Sequence, residues 1–144
     1  MQDLPHRYAV SARAAAEGEV VVSARGLGEL RSAPPAEFGG PGDRWSPETL
    51  LVAAVADCFI LSFRAIAKAS GLAFRDLDCA AEGVLDRVEG ILRFSALHIR
   101  ARLLVEAGVD EARARRLLEK AEKNCLVSNS LLARKQLEVE VVKA

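Results

Sequence analysis

The chain has 144 residues, a length that suits one domain spanning 1–144. Its 20 Lys+Arg balance 20 Asp+Glu, which argues against a nucleic-acid partner, since such binders carry a basic surplus. Apolar residues reach 51% but aromatics only 5%, so the core has to be assembled from Ala, Val, Leu and Ile.

The N-terminal stretch from Met1 to Val10 lacks the basic start and apolar run of a secretory signal, which points to a cytoplasmic protein. From His6 to Ala12 the chain alternates loosely and reads as a first strand. Glu19–Ser23 is β-branched and reads as a second. Glu29–Ala33, after a turn at Gly26 and Gly28, reads as a third. A loop dense in Pro and Gly follows, from Pro34 to Gly42, where no regular element is expected. Gly39-Gly40-Pro41-Gly42 lacks the Lys-Ser/Thr of a phosphate-binding loop.

Trp45-Ser46-Pro47-Glu48 closes that loop. Ser46 suits an N-cap, Pro47 the first helical position, and Glu48 the positive end of the helix dipole. The pattern predicts a helix from Pro47 to about Ser70, stopped by Gly71. It is apolar nearly all round, with Asp57, Arg64 and Lys68 as a thin polar stripe, which predicts burial between layers or at a subunit interface. Its nearly uncharged part, Thr49 to Phe63, carries Asp57 and is too short to cross a bilayer, so no membrane partner is expected.

Two long strands come next. Leu77, Cys79, Ala81, Gly83 and Leu85 share one face of the first. Asp86–Gly90 turns the chain. Leu97, Ile99, Ala101, Leu103 and Val105 share one face of the second, while His98, Arg100 and Arg102 share the other, solvated one. Asp110 caps a second helix, about Glu111 to Cys125, with Leu117, Ala121 and Cys125 on its apolar side and Ser128, Asn129 and Ser130 as a polar exit. Leu137, Val139 and Val141 form the last strand. The order is βββ-α-ββ-α-β, an α+β domain with a mostly antiparallel sheet and two helices.

Three cysteines, Cys58, Cys79 and Cys125, are too few and too odd for a disulfide framework. Each fits a buried small apolar side chain. Cys58 and Cys125 also admit another reading, because each lies on the inward face of one helix. If the helices pack together, one thiol can attack a peroxide and the other can close a disulfide on it. Cys125, near a helix C-terminus, suits the second role, since the dipole there disfavours a thiolate. Buried Cys58 needs a nearby cation to ionise. Glu48 fits an orienter for that cation, but about ten residues of helix place it roughly 15 Å from Cys58, so a shared site needs a second chain. Without a C-x-x-C, and with His6 and His98 far from the cysteines, no metal or cofactor is expected.

Ser46-Pro47-Glu48-Thr49-Leu50-Leu51-Val52-Ala53-Ala54-Val55-Ala56-Asp57-Cys58-Phe59 resembles the signature helix of the OsmC/Ohr family, the osmotically inducible and organic-hydroperoxide-resistance proteins. That signature is Pro-Glu-x-Leu, a run of small apolar residues, then Cys. Cys125-Leu126-Val127-Ser128-Asn129-Ser130 resembles the family's second motif, Cys-Pro-Ile/Val-Ser. The resemblance implies an OsmC-like fold, an intertwined homodimer, and thiol peroxidase activity on organic hydroperoxides in oxidative-stress defence. By position it makes Cys58 the peroxidatic cysteine, Cys125 the resolving one and Glu48 the carboxylate holding an activating Arg. It also implies a dithiol reductant, often a lipoylated protein.

The chain departs from the family in three places. Leu126 stands where Pro is common. Ala16 and Glu37 occupy the positions where the two branches carry their Arg. Arg44, just before the helix, is the substitute chosen for the catalytic set, and Trp45 is the candidate substrate-binding residue. The missing Arg also keeps open a non-enzymatic binding protein for a small apolar ligand on the same fold. A hot-dog thioesterase is a third reading, opposed by the second helix between the fifth and sixth strands.

Overall fold

The structure is a computed structural model and describes residues 1–144. The chain divides into two compact units, Met1–Leu50 and Leu51–Ala144.

The first unit holds a small antiparallel sheet of β1 (Ser11–Arg13), β2 (Val20–Ser23) and β3 (Leu30–Ser32), in that spatial order. The first strand is shorter than the alternation from His6 to Ala12 predicts. Every residue from Met1 to Gly18 is exposed, Tyr8 and Val10 included. Alternation specifies a strand only where one face is buried. The Pro/Gly loop is more ordered than expected, with one 3-10 turn at Ala36–Phe38. The Gly40 N–H donates to the Pro35 carbonyl at 3.0 Å, and a Cβ at Gly40 would overlap the Pro34 carbonyl.

Helix α1 (Pro47–Ser70) begins and ends where the caps predict. Ser46 is buried, and its hydroxyl accepts the Thr49 N–H at 3.1 Å while Thr49 Oγ1 accepts the Ser46 N–H at 2.9 Å. This is a reciprocal capping box with Thr in place of Glu, and losing such a cap costs about 1 kcal/mol. At the other end Gly71, with φ +65°, closes a Schellman motif: Leu72 N–H reaches the Ala67 carbonyl and Gly71 N–H the Lys68 carbonyl. Arg113 also donates to the Ser70 carbonyl.

In the second unit, β4 (Asp76–Val88) and β5 (Ile91–Val105) form a long antiparallel hairpin. Its turn is tighter than the expected Asp86–Gly90. Only Glu89 and Gly90 lie outside the strands, both at positive φ, as a two-residue hairpin loop requires. β6 (Arg134–Lys143) runs parallel to β5, so the sheet order is β4-β5-β6. A parallel neighbour needs a crossover, supplied here by α2 (Glu111–Lys123) and the short α3 (Leu126–Asn129). The fold is thus α+β and mostly antiparallel, with one helix more than the two expected. Asp110 caps α2 by accepting the Ala112 N–H at 3.0 Å.

The core of this unit sets Val55, Phe59, Phe63 and Ala67, one stripe of α1, with Leu97, Ile99 and Leu103 of β5 and Ala114, Leu118 and Ala121 of α2. Phe63 meets Phe74 edge-on, with ring centroids 5.1 Å apart. The predicted solvated face of β5 carries ion pairs to β6, Arg100 to Glu138 at 3.2 Å and Arg102 to Glu140 at 3.4 Å.

Within one chain the burial of α1 is one stripe, and Leu61 remains 52% exposed. One expectation for α1 needs correcting: its 24 residues are long and apolar enough, by length and composition, to cross a membrane, because the apolar pattern continues past Phe63 to Ser70.

Candidate active site

Cys58 sits midway along α1, half-buried, with its sulfur 3.9 Å from the Ser62 hydroxyl one turn on. Cys125 is fully buried. It does not end the second helix as the periodicity predicts. α2 stops at Lys123, Asn124 is its C-cap, and Cys125 is the N-cap residue of α3. The dipole argument for Cys125 therefore falls away, and burial replaces it.

The Cys125 backbone is held on both sides. Its N–H donates to the Glu122 carbonyl at 3.2 Å, and its carbonyl accepts the Asn129 N–H at 2.9 Å and the Ser128 hydroxyl at 3.2 Å. The thiol itself is near enough to that of Cys58 to feel it. Burial pushes the Cys125 pKa above its ordinary 9.0. The Ser128 hydroxyl and N–H near the sulfur oppose that shift, and the neighbouring Cys58 adds to it. Cys125 is a protonated thiol at neutral pH.

Cys79, on the inward face of β4 opposite Ala101, packs against the core as its position predicts. Its thiol is pushed up to about 11, by burial first and then by the charge of Cys125. That Cys79 stands near enough to feel Cys125 is new. Strand phase shows that Cys79 points inward but not which thiol it meets. Ser62, by contrast, was readable at i+4 from Cys58. Two neighbouring thiols of which one is half-buried can form a disulfide when an oxidant takes two electrons, and a dithiol partner can return them by exchange.

The other candidates lie in the first unit. Glu48 is half-buried, and its Oε2 is buried without a hydrogen-bond partner. Arg44 is not turned to Glu48. Its Nε donates to Glu19 Oε1 at 2.7 Å, and its Nη1 lies 3.3 Å from Asp43 Oδ2. Glu19 also pairs with Arg31 at 3.3 Å, and the two guanidinium groups hold its carboxyl below the usual range. Adjacency in sequence suggested Glu48. The carboxylate of β2's approach is what Arg44 reaches. Trp45 accepts the Ala33 N–H at 2.9 Å through its carbonyl and is 51% exposed.

Residues 40–141 match the family model of OsmC-like proteins. The Bacillus subtilis (strain 168) protein YmaD, itself uncharacterised, is 29% identical over 109 residues, 74% of this chain and 73% of that protein. An OsmC-like protein of unknown function from Vibrio cholerae has the same fold at a TM-score of 0.85, with 15% identity over 94% of this chain and 99% of the other. An organic hydroperoxide resistance protein from Elizabethkingia anophelis superposes at 0.78, with 21% identity over 99% of this chain and all of its own, 100%. With a family match over most of its length, the chain belongs to the OsmC-like family.

Proposed function

We propose that this protein is a soluble, cytoplasmic thiol peroxidase that reduces organic hydroperoxides in oxidative-stress defence, built as one OsmC-like domain and acting as a homodimer. The observation that carries this reading is that the Cys125 thiol, at the N-cap of α3, is near enough to that of Cys58 on α1 to feel it. Structural neighbours that include organic hydroperoxide resistance proteins support the redox role.

The Cys58 thiolate attacks one peroxide oxygen. The O–O bond breaks, the alkoxide leaves and takes up a proton, and Cys58 becomes a sulfenic acid. The Cys125 sulfur then attacks the Cys58 sulfur, water leaves, and the disulfide forms. A dithiol reductant, such as a lipoylated protein, restores both thiols by exchange and becomes the oxidised partner. Cys58 is the better nucleophile of the two because it is half-buried, whereas Cys125 is fully buried with its acidity suppressed.

Glu48 is proposed as the carboxylate that orients the activating guanidinium. Its buried oxygen lacks a partner within the chain, as expected of a carboxylate waiting for a cation. Arg44 supplies that cation by exchanging Glu19 for Glu48, and the second copy of the homodimer brings both to Cys58. Trp45, with its exposed ring, contacts the apolar part of the substrate. The exposed apolar surface of α1, Leu61 included, supports dimerisation.

Mixing the reduced protein with cumene hydroperoxide tests the reading. Each chain is expected to consume one equivalent of peroxide and lose two thiols. Unchanged thiols after excess peroxide would favour the binding-protein alternative.

A further inference from the structure

The inward face of β6 alternates with its outward face, and Lys135 falls in the inward phase with Leu137, Val139 and Val141. A lysine on an apolar face has to find partners or lose hydration without compensation. Lys135 finds two. Its ammonium donates to Asn129 Oδ1 at 2.7 Å and lies 3.2 Å from Glu122 Oε1. That carboxylate oxygen is buried and has no hydrogen bond of its own. The Lys135 and Glu122 side chains are only 23% and 16% exposed, so this pair is less screened than a surface ion pair.

Both partners flank Cys125. Glu122 lies in the last turn of α2, and its carbonyl accepts the Cys125 N–H. Asn129 ends α3, donates its N–H to the Cys125 carbonyl, and donates its side-chain amide to the Lys123 carbonyl at 2.9 Å. α3 is a single turn whose N-cap has no side-chain hydrogen bond, so its own hydrogen bonds do little to fix it. Lys135 therefore ties the residue before the Cys125 turn, the residue after it, and the sheet into one clasp.

We propose that Lys135 is a positioning residue that clamps the Cys125 turn so that its thiol stays buried against Cys58. The resolving role of Cys125 rests on the peroxidase reading above, but the clasp does not. With Lys135 removed, the turn opens locally, Cys125 spends more time in solvent, and the disulfide-forming geometry is held less often.

The test compares wild type with Lys135→Met, Lys135→Arg and Glu122→Gln in two measurements on the full chain. The first is the rate of alkylation of each cysteine by iodoacetamide, read by peptide mass spectrometry, with Cys79 as the internal reference. Lys135→Met and Glu122→Gln are expected to speed modification of Cys125 relative to Cys79 by about tenfold, and Lys135→Arg to stay near wild type. The second is a single turnover with cumene hydroperoxide, with dimedone trapping the sulfenic acid. Lys135→Met is expected to slow disulfide closure by about tenfold, so that the trapped Cys58 adduct accumulates. Wild-type rates of Cys125 modification in Lys135→Met overturn the clasp. If Lys135→Met does not fold, Glu122→Gln decides by the same ratio. If wild type consumes no peroxide, the peroxidase reading fails, and the alkylation ratio still judges the clasp.

Discussion

The thiol of Cys125 feels that of Cys58 although one belongs to the N-cap of a single helical turn and the other to the middle of a long helix. Their environments differ: Cys58 is half-buried beside a serine hydroxyl, and Cys125 is sealed in the core with its proton held on by burial. That asymmetry supports the proposed roles, which substitution tests. Cys58→Ser is expected to abolish peroxide consumption. Cys125→Ser is expected to consume one equivalent and stop, leaving a sulfenic acid that dimedone traps. Peroxide consumption by Cys58→Ser at the wild-type rate would reverse the assignment.

The raised thiol pKa values make stability depend on alkaline pH. Below pH 9.0 both Cys79 and Cys125 are protonated in folded and unfolded chains alike, and their contribution is fully present. As pH rises further, the unfolded chain releases these protons while the folded chain keeps them, so stability falls. For Cys79 the loss is complete only as pH passes about 11. It amounts to about 2 kcal/mol once screening of a half-buried thiol is allowed for. Denaturant midpoints measured from pH 8 upward are expected to fall in wild type and to fall less in Cys79→Ala. Parallel curves would show that Cys79 does not titrate differently on folding.

Gly83 of β4 leaves no room for a side chain between Phe94 of β5 and Val52 of α1. A Cβ there would stand 2.7 Å from Phe94 Cε1 and 2.8 Å from Val52 Cγ2. Since the core around it is close-packed, Gly83→Ala is expected to cost about 1–3 kcal/mol. Urea denaturation checks this, and an unchanged midpoint would mean that Phe94 and Val52 move aside at no cost.

Arg44 is held by Glu19, so its proposed role carries a directional consequence. Glu19→Gln weakens that hold and is expected to speed the reaction of Cys58 with peroxide, whereas Arg44→Ala is expected to slow it. Stopped-flow peroxide consumption reads both. Equal rates in the two variants and wild type would leave Arg44 as a structural partner of Glu19 alone. The exposed pairs themselves contribute little to stability.

The legible parts of the sequence were those set by local chemistry. Ser46-Pro47 and Gly71 bound α1 because caps act within a few residues, and Asp110 does the same for α2. Cys58 and Cys125 were legible as inward-facing thiols. The end of α2 was not, because the apolar spacing from Leu117 through Ala121 runs on to Cys125 while the hydrogen bonds stop at Lys123 and Asn124. β1 was overextended because alternation around Tyr8 and Val10 carries no information about whether anything covers them. The approach of Cys79 to Cys125 and the pairing of Arg44 with Glu19 join segments distant in sequence, so only packing determines them.

The central claim is a disulfide between two particular thiols among three. The most direct measurement is a peptide map after one equivalent of cumene hydroperoxide is added to the reduced protein without reductant. The account predicts a Cys58–Cys125 disulfide, with Cys79 still free to alkylate. A map in which all three thiols remain free, or in which the oxidised pair excludes Cys58, would contradict it.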